Sequence, residues 1–287
     1  MKIKDHFLTQ EHFELRETNI PGILKTYPIP ENLGKYYESE DYISHHQDSG
    51  SLKEKLYKFL QSFNLTYKRD IILKEMQVFS NACVDLKNER NAIKILDYGC
   101  GAGAFLKIME KDFQTFGLEP DENARELTSK KLTKTRMISS LDEVENASLD
   151  VISLWHVLEH IPNQDEILET FHQKLKPSGK LIIAVPNCTS YDAKYYKEFW
   201  AAYDVPRHLF HFSKSGMENL MKEKSKHWNL EKTKPLLLDS FYISVLSEKY
   251  KKNPLFWFFG GIHGAISNFK ALKTGEFSSL IYILGKN

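Results

Sequence analysis

The sequence is poor in the features that mark a disulfide-bonded or zinc-binding protein. Its 287 residues include only three cysteines, Cys83, Cys100 and Cys188, which lie far apart and in no paired spacing. Neither a disulfide framework nor a zinc site is therefore indicated. The histidines of the first fifty residues fit no common metal-binding pattern either. We predict that the protein holds no metal.

An excess of charge and long apolar runs are also missing. The 39 basic residues almost balance the 38 acidic ones, so no polyanionic partner is demanded and we predict no nucleic-acid substrate. The N-terminus lacks an apolar segment of signal-peptide length, and no apolar run is long enough to cross a bilayer. We expect a cytoplasmic protein without stable membrane insertion. Its length suits one large α/β domain with additions, or two small domains.

The stretch from Ile93 to Leu106 carries the most informative pattern in the chain. An apolar run ends at Asp97, glycines follow at Gly99, Gly101 and Gly103, and an apolar helical pattern then begins. This order predicts a buried strand, a turn with almost no side chains, and a helix. Glycine is needed where the chain reverses tightly or where a ligand approaches the backbone. Free N–H groups at the start of the helix would face that ligand.

Two carboxylates narrow the choice of ligand. The glycine spacing alone also fits a dinucleotide-binding turn. However, Asp97 ends the strand before the glycines, where a nicotinamide-binding turn usually needs no acid. Glu119 ends the next apolar stretch. At the tip of a neighbouring parallel strand, its carboxylate could accept hydrogen bonds from both hydroxyls of a ribose. The turn is therefore predicted to bind an unphosphorylated nucleoside.

Three segments together resemble a known family. Residues 96–103, 117–120 and 154–162 are similar to the motifs of class I S-adenosylmethionine-dependent methyltransferases. The third segment is similar to the small-molecule branch that includes the ubiquinone and menaquinone methyltransferases. The three motifs have the correct order and spacing, and they cover about residues 93 to 186. The resemblance implies that S-adenosylmethionine is the cofactor.

The rest of the pattern predicts the fold class. Strands and helices alternate as a doubly wound, mainly parallel α/β sheet requires. The resemblance implies a Rossmann-like sheet of seven strands, closed by two final strands of which one is antiparallel. Two helices between residues 51 and 88 are expected to precede the first strand. The predicted strands are Ala92–Tyr98, Gln114–Leu118, Thr135–Ile138, Leu149–Trp155, Gly179–Pro186, Trp228–Lys234 and Ser278–Leu284.

Residues 1–50 are predicted to be an extension of a methyltransferase domain that spans residues 51–287. In several relatives the corresponding position carries a small zinc-ribbon-like unit with paired cysteines, but this segment has none. We therefore predict a degenerate unit without metal. Its tyrosine-rich part resembles the segment that covers the cofactor in related enzymes, which makes Tyr37, Tyr42 and His45 predicted lid residues. The alternative is a helix packed on the domain by its aromatic face.

Two further aromatic stretches have open interpretations. Residues 187–212 form an insertion at the edge of the sheet where ligands bind. Its rings, Tyr203 among them, could build a cap around a planar or apolar acceptor, or the core of an added helical unit. Residues 256–259 could lie on a membrane surface. Because this segment is short and carries few basic residues on a clear polar face, we interpret it as core or as the contact of a possible homodimer.

The resemblance implies how the cofactor is held. The glycine turn would accommodate its methionine part, Asp97 its ammonium group and Glu119 its ribose hydroxyls, while Pro120 and Leu141 would flank the adenine. The predicted cofactor residues are Asp97, Gly99, Cys100, Gly101, Gly103, Glu119, Pro120, Leu141, Trp155 and His156.

The acceptor side rests on three predicted catalytic residues. His156 follows the fourth strand of the sheet, and because it titrates near neutrality it could take a proton from a hydroxyl group. It could also only contact the cofactor through its backbone. Arg207 could bind a carboxylate or phosphate of the acceptor, and His208 is the alternative base. We assign Glu159 and His160 a structural or capping role.

The leading hypothesis is a methyltransferase that acts on a small or medium-sized molecule, preferably at an oxygen atom. A nicotinamide-dependent oxidoreductase is the second hypothesis, although Asp97 and the motif at residues 154–162 argue against it. A non-catalytic module that binds S-adenosylmethionine is the third, and the residues do not exclude it.

Overall fold

The computed structural model describes residues 1–37, 52–80, 93–224 and 226–287. Strands form two sheets in these residues. The strands are β1 (Lys2–Lys4), β2 (His12–Glu17), β3 (Ile23–Tyr27), β4 (Lys94–Tyr98), β5 (Gln114–Leu118), β6 (Arg136–Ile138), β7 (Leu149–Trp155), β8 (Leu175–Pro186), β9 (Phe210–Phe212), β10 (Trp228–Pro235) and β11 (Ser279–Lys286).

The larger sheet has seven strands in the order β10-β11-β8-β7-β4-β5-β6. Neighbours from β8 to β6 pair in parallel, and β11 runs antiparallel to both β8 and β10. This is the doubly wound, mainly parallel sheet of a Rossmann-like fold, so the predicted fold class is confirmed. β5 and β7 have the predicted bounds, whereas β8 begins at Leu175 rather than at Gly179.

Helices cover both faces of this sheet and extend from its edge. They are α1 (Leu52–Ser80), α2 (Ala104–Met109), α3 (Glu122–Lys131), α4 (Gln164–Lys174), α5 (Tyr191–Tyr196), α6 (Lys214–Glu223), α7 (Asp239–Tyr250) and α8 (Phe256–Thr274). Where two helices were predicted between residues 51 and 88, the single helix α1 spans residues 52–80, and residues 81–88 lie outside the described part of the chain. No glycine or proline interrupts residues 52–80, so no residue there ends a helix.

Two apolar cores lie against the sheet because successive residues of a strand point to opposite faces. Leu96 and Ile152 belong to one core, and Ile95 and Val151 belong to the other. All four side chains are completely buried. The sheet is therefore buried on both sides, as a parallel sheet requires, and its ligand-binding positions are confined to the edge where the parallel strands end.

The N-terminal extension and the insertion after β8 form one sheet together. β1, β2 and β3 are antiparallel, and β9 from the insertion pairs with β3 through Ile23 and Phe212. Thr26 Oγ1 also donates a hydrogen bond to the carbonyl of His208 at 2.6 Å. Residues far apart in the sequence thus join beside the ligand-binding edge. The predicted domain boundary at residue 50 remains a prediction.

A buried carboxylate fixes the insertion to the C-terminal part of the chain. Asp192, on α5, is fully buried. It accepts hydrogen bonds from Trp200 Nε1 at 2.7 Å and from the hydroxyls of Ser267 and Ser278, both at 2.6 Å. These bonds join the insertion to α8 and to the residue before β11. They satisfy a group that would otherwise be costly to bury.

The aromatic segment at the start of α8 is not part of a core. Trp257 and Phe258 are 58% and 63% exposed, and Phe259 is also exposed. The interpretation of this segment as core is therefore wrong, and the homodimer contact remains a prediction. Among the described residues, no helix combines the length and the apolar composition that crossing a membrane requires.

Candidate functional site

The glycine turn lies between β4 and α2, at the edge where the parallel strands end. Gly99, Gly101 and Gly103 have φ values between +51° and +73°, a region that other residues rarely adopt. The carbonyl of Leu118 accepts hydrogen bonds from the N–H groups of Gly99 at 2.8 Å and Cys100 at 3.1 Å. The turn is therefore held against the end of β5.

Close packing explains two of the three glycines. A Cβ atom on Gly99 would lie 2.6 Å from Cγ2 of Val157, and one on Gly103 would lie 2.6 Å from Cγ2 of Thr128. By contrast, a Cβ atom on Gly101 would meet no described atom within 4 Å. The space beside Gly101 is therefore available to a ligand.

Glu119 lies beside this turn, as the predicted ribose site requires. Its Oε2 accepts a hydrogen bond from the Gly101 N–H at 2.8 Å, and its Oε1 accepts one from the Asp121 N–H at 3.2 Å. These bonds hold the carboxylate at the tip of β5. The structure thus brings together the turn and the carboxylate, while the ribose-binding role remains a prediction.

The predicted adenine flank has one exposed and one buried member. Pro120 is exposed beside Glu119, and Leu141 is 9% exposed and packs into a core. Leu141 begins a short 3-10 helix that Ser140 and Glu143 cap reciprocally.

Cys100 is partly exposed in the glycine turn. Burial raises the pKa of its thiol, and the nearby charges of Asp97 and Glu119 raise it further.

Asp97 is 3% exposed at the end of β4. Ser153 Oγ donates a hydrogen bond to its Oδ1 at 2.8 Å. Burial raises the pKa of Asp97 to about 7, although this bond and the charge of Lys68 act in the opposite direction. Burial lowers the pKa of Lys68, and the charges of Asp239 and Asp97 oppose that shift. A lysine on α1 therefore lies near the carboxylate that the sequence assigns to the cofactor.

Trp155 ends β7 next to this pair. The ammonium group of Lys68 lies 4.6 Å from the centroid of its ring, and Phe105 on α2 packs edge-on against it at 5.3 Å. The buried Trp155 Nε1 has no hydrogen-bond partner among the described residues. A buried donor without a partner is unusual in a folded protein, and its ring packs against Phe105, two residues after the glycine turn.

His156 has an unusual backbone and two acidic neighbours. Its φ is +59°, which is uncommon for a residue other than glycine and is typical of functional positions. Asp239 Oδ2 lies 2.8 Å from Nε2, and Glu159 Oε1 lies 3.5 Å from Nδ1. Burial alone would lower the pKa of His156, but the two carboxylates outweigh it and raise the pKa to about 9.

Three further residues lie beside His156, namely Glu159, His160 and His208. We call these four residues the histidine cluster. Glu159 is 1% exposed, and neither of its carboxylate oxygens has a hydrogen bond from the described residues. His208 Nε2 lies 4.0 Å from Glu159 Oε1. Burial would raise the pKa of Glu159, but the nearby histidines lower it. Burial lowers the pKa of His160 to about 4, so this imidazole is neutral near pH 7.

Donor atoms of Glu159, His160 and His208 lie within 4.8 Å of one another, a distance that a metal ion could bridge. However, Nδ1 of His160 lies 3.0 Å from the Arg207 carbonyl, and Nδ1 of His208 lies 2.9 Å from the Ala202 carbonyl. These bonds use the Nδ1 atoms and leave Nε2 of each ring as the nitrogen that could bind an ion. The absence of a metal stays a prediction for this group and for the surface group of Glu169, His172 and His227.

Arg207 is directed into the protein rather than toward an acceptor. Its guanidinium is fully buried, and Nη2 lies 2.6 Å from Asp204 Oδ1 and 3.3 Å from Asp5 Oδ1. Nη1 donates a hydrogen bond to the carbonyl of Tyr36 at 3.0 Å. These contacts tie the insertion to the N-terminal sheet, which favours a structural role over the predicted binding of an acceptor carboxylate.

The predicted lid residues lie in different places. Tyr37 approaches the histidine cluster, since its hydroxyl lies 3.1 Å from Nδ1 of His160, and burial raises its pKa to about 12. Tyr203 is buried in the insertion and packs edge-on against Trp200. Tyr42 and His45 lie outside the described residues.

Sequence reasoning missed Lys68 and Asp239 and gave Glu159 only a structural role. No motif contains Lys68 or Asp239, because one lies on a helix before β4 and the other begins a helix after β10. Only the fold brings them to the edge. For Glu159, the available signal was its spacing of three residues from His156, which places both in one short turn after β7.

Comparison with known proteins identifies the family. The model of the family described as "Methyltransferase domain" matches residues 67–224, more than half of the chain. The human thiol S-methyltransferase TMT1A is 24% identical over 131 residues, which cover 42% of this chain and 53% of that protein. The ubiquinone biosynthesis O-methyltransferase of Vibrio parahaemolyticus is 33% identical over 103 residues, 33% of this chain and 44% of that protein.

A solved structure supports the fold. A chain of the Haloferax volcanii complex that contains the Trm112 methyltransferase activator superimposes with a TM-score of 0.51 and 13% identity, covering 69% of this chain and 83% of that one. The chain spans about half the length of the curated relatives it matches. The predicted cofactor, S-adenosylmethionine, is confirmed by these matches. The chain belongs to the methyltransferase domain family of class I S-adenosylmethionine-dependent methyltransferases.

Proposed function

We propose that the protein transfers a methyl group from S-adenosylmethionine to an oxygen atom of a small or medium-sized acceptor. The observation that carries this proposal is the strained His156, whose imidazole lies between Asp239 and Glu159 at the end of a strand whose neighbour forms the glycine turn. A histidine in such a position can take the proton of an acceptor hydroxyl. Similarity to ubiquinone biosynthesis O-methyltransferases supports the choice of oxygen.

The residues around the glycine turn fit the cofactor. The free space beside Gly101 would admit its methionine part, and the Glu119 carboxylate would accept hydrogen bonds from its ribose. Asp97 and Lys68 offer opposite charges for its ammonium and carboxylate groups. When bound, the cofactor supplies a methyl group on a positively charged sulfur, which makes the methyl carbon open to attack in line with the carbon–sulfur bond.

The chain contributes orientation and a place for the proton. Asp239 holds His156 through Nε2, which leaves Nδ1 as the nitrogen that can face a hydroxyl group. Glu159 is 3.5 Å from Nδ1, longer than a hydrogen bond, and its charge would stabilise the imidazolium after proton transfer. Because the His156 pKa is about 9, the base is strong once deprotonated but mostly protonated at pH 7.

Calorimetric titration and a turnover assay test this proposal. We expect the protein to bind S-adenosylhomocysteine and not NADH, and to release S-adenosylhomocysteine when supplied with S-adenosylmethionine and phenolic or catechol acceptors. Binding of NADH alone would favour the oxidoreductase alternative. Binding without turnover on hydroxyl or thiol acceptors would favour a non-catalytic module. Methylation of thiols only, as in the name of TMT1A, would contradict the choice of oxygen.

A further inference from the structure

The outer side of α8 presents large apolar side chains to solvent. Leu255, Phe258, Ile262, Ala265, Phe269 and Leu272 follow one another at alternating spacings of three and four residues, which places them on one side of a helix. We call them the α8 apolar face. Phe258, Phe269 and Leu272 are 63%, 68% and 73% exposed. A continuous exposed apolar stripe of this kind marks an interaction surface.

The fully buried positions of the same helix all carry small residues. Gly260, Gly264, Ser267 and Ala271 are its buried positions. A Cβ atom on Gly260 would lie 2.5 Å from Cα of Val245 on α7, and one on Gly264 would lie 2.7 Å from Cα of Phe241. The two helices therefore pack backbone against backbone, while the large side chains of α8 lie outside. This is the reverse of a helix whose large apolar residues serve the core.

The exposed charges along α8 and just before it are basic, although Lys251 also lies 3.8 Å from the buried Glu248 of α7. No aspartate or glutamate occurs from Lys249 to Thr274. Lys251 and Lys252 are exposed before the helix, and Lys270 and Lys273 are exposed in its last turns. The neighbouring α5 adds the exposed ring of Tyr195 and a further exposed lysine, Lys194. An apolar stripe flanked by the exposed Lys252, Lys270 and Lys273 complements a surface that is apolar inside and anionic at its boundary.

The alternative occupant, a second copy of α8, lacks this complementarity. Stripe spacings of three and four residues also suit a paired helix. However, a second copy of α8 brings the same lysines and no aspartate or glutamate within the helix, so either orientation places lysines near lysines. Like charges oppose such a pairing. We infer that the α8 apolar face docks on the surface of a membrane that contains anionic phospholipids.

The α8 apolar face belongs to a helical hairpin that is joined to the ligand-binding edge of the sheet. α7 begins at Asp239, which contacts His156, and β11 follows α8 and pairs through Ser279 with Pro186 at the end of β8. The α7–α8 hairpin therefore starts and ends at the ligand-binding edge of the sheet. Docking through α8 would hold that edge near the bilayer, although the docking itself does not depend on any methyl transfer.

Vesicle flotation of the full chain tests the inference. The probes are vesicles of phosphatidylcholine alone and vesicles of phosphatidylcholine mixed with phosphatidylglycerol. We expect the bound fraction to rise with phosphatidylglycerol and to fall when sodium chloride is added. The double variant Phe258→Ser/Phe269→Ser should lose roughly tenfold or more of the partitioning. Because both side chains are exposed, its thermal unfolding should match that of the wild type.

Matched variants separate the contributions. Leu127→Ser removes an exposed apolar side chain from α3 and should float like the wild type. Lys252→Gln/Lys273→Gln should weaken binding to phosphatidylglycerol vesicles only. The inference is overturned if the wild type does not float with phosphatidylglycerol vesicles, or if the double phenylalanine variant floats as well as the wild type. It is also overturned if light scattering shows a dimer that this variant splits, since a second copy would then cover the face.

Discussion

The glycine turn and the histidine cluster lie at the same edge of the sheet but are assembled differently. The turn is built from neighbouring residues, Gly99 to Gly103, that contact the next strand at Leu118 and Glu119. The cluster gathers three residues that follow β7 and one residue of the insertion, His208, and it contacts Asp239 of α7. One region is therefore encoded locally, and the other depends on contacts between distant parts of the chain.

Each half of the site can therefore change without loss of the other. The turn is constrained by its own backbone conformation and by packing against Val157 and Thr128. The cluster depends on charges, because a buried glutamate, two histidines and the Asp204–Arg207 pair lie within a few ångströms of one another. Changes in the turn should affect cofactor binding, and changes in the cluster should affect proton transfer or stability.

The largest expected effect is the loss of the base. His156→Asn removes the imidazole but keeps a residue that tolerates positive φ. If His156 takes the acceptor proton, kcat/KM should fall about 1,000-fold, while the Kd for S-adenosylhomocysteine changes little. Steady-state kinetics and calorimetry measure the two quantities. His172→Asn, at a surface histidine, is the matched control. A fall in cofactor affinity equal to the fall in activity would instead assign His156 to the cofactor.

The sequence predicts the turn better than the cluster for a physical reason. Gly99 to Gly103, Asp97 and Glu119 form a pattern that local backbone geometry requires, and the strands that carry them are recognisable by apolar periodicity. Arg207 appeared accessible in the sequence because nothing there shows that Asp5 and Asp204 neutralise it. Lys68 and Asp239 belong to no motif. The pairing of β3 with β9 is equally invisible, because it joins segments separated by most of the chain.

A variant of Arg207 tests whether this residue, which lies beside the histidine cluster, has a structural role. Arg207→Met leaves Asp5 and Asp204 without their buried partner and should lower the free energy of unfolding by about 3 kcal/mol. Denaturant titration measures this change. In the exposed pair of Arg16 and Glu14, Arg16→Met should cost less than about 1 kcal/mol. If Arg207 instead binds the acceptor, the variant would raise KM and leave the unfolding transition unchanged.

The glycine turn allows a test of binding that spares the fold. Gly101→Asn places a side chain in space that is empty in the described structure, and asparagine tolerates positive φ better than most residues, so the folded chain should persist. The side chain would occupy the room predicted for the cofactor and should raise the Kd for S-adenosylhomocysteine roughly 100-fold. Gly261→Asn, on α8, also meets open space and should leave this Kd unchanged. If the two variants bind S-adenosylhomocysteine with equal affinity, the cofactor does not bind at the turn.

The smallest expected effect is a shift of the pH profile of kcat/KM. This shift distinguishes a histidine that acts as a base from one with a structural role. The reactive form of His156 is the neutral imidazole, so kcat/KM should rise with pH and level off above about 9. Asp239→Asn removes a negative charge that stabilises the imidazolium. The pKa should then fall and the rising limb should move to lower pH.

The same variant has a second readout that does not involve turnover. Because folding raises the His156 pKa above its ordinary value, the stability that this proton confers is complete below that ordinary value and is lost as pH rises through about 9. In Asp239→Asn, the loss should begin at lower pH. A shift of both the kinetic limb and the stability profile identifies His156 as the base that Asp239 orients. A shift of the stability profile alone leaves the pair structural and moves the search for the base to His208.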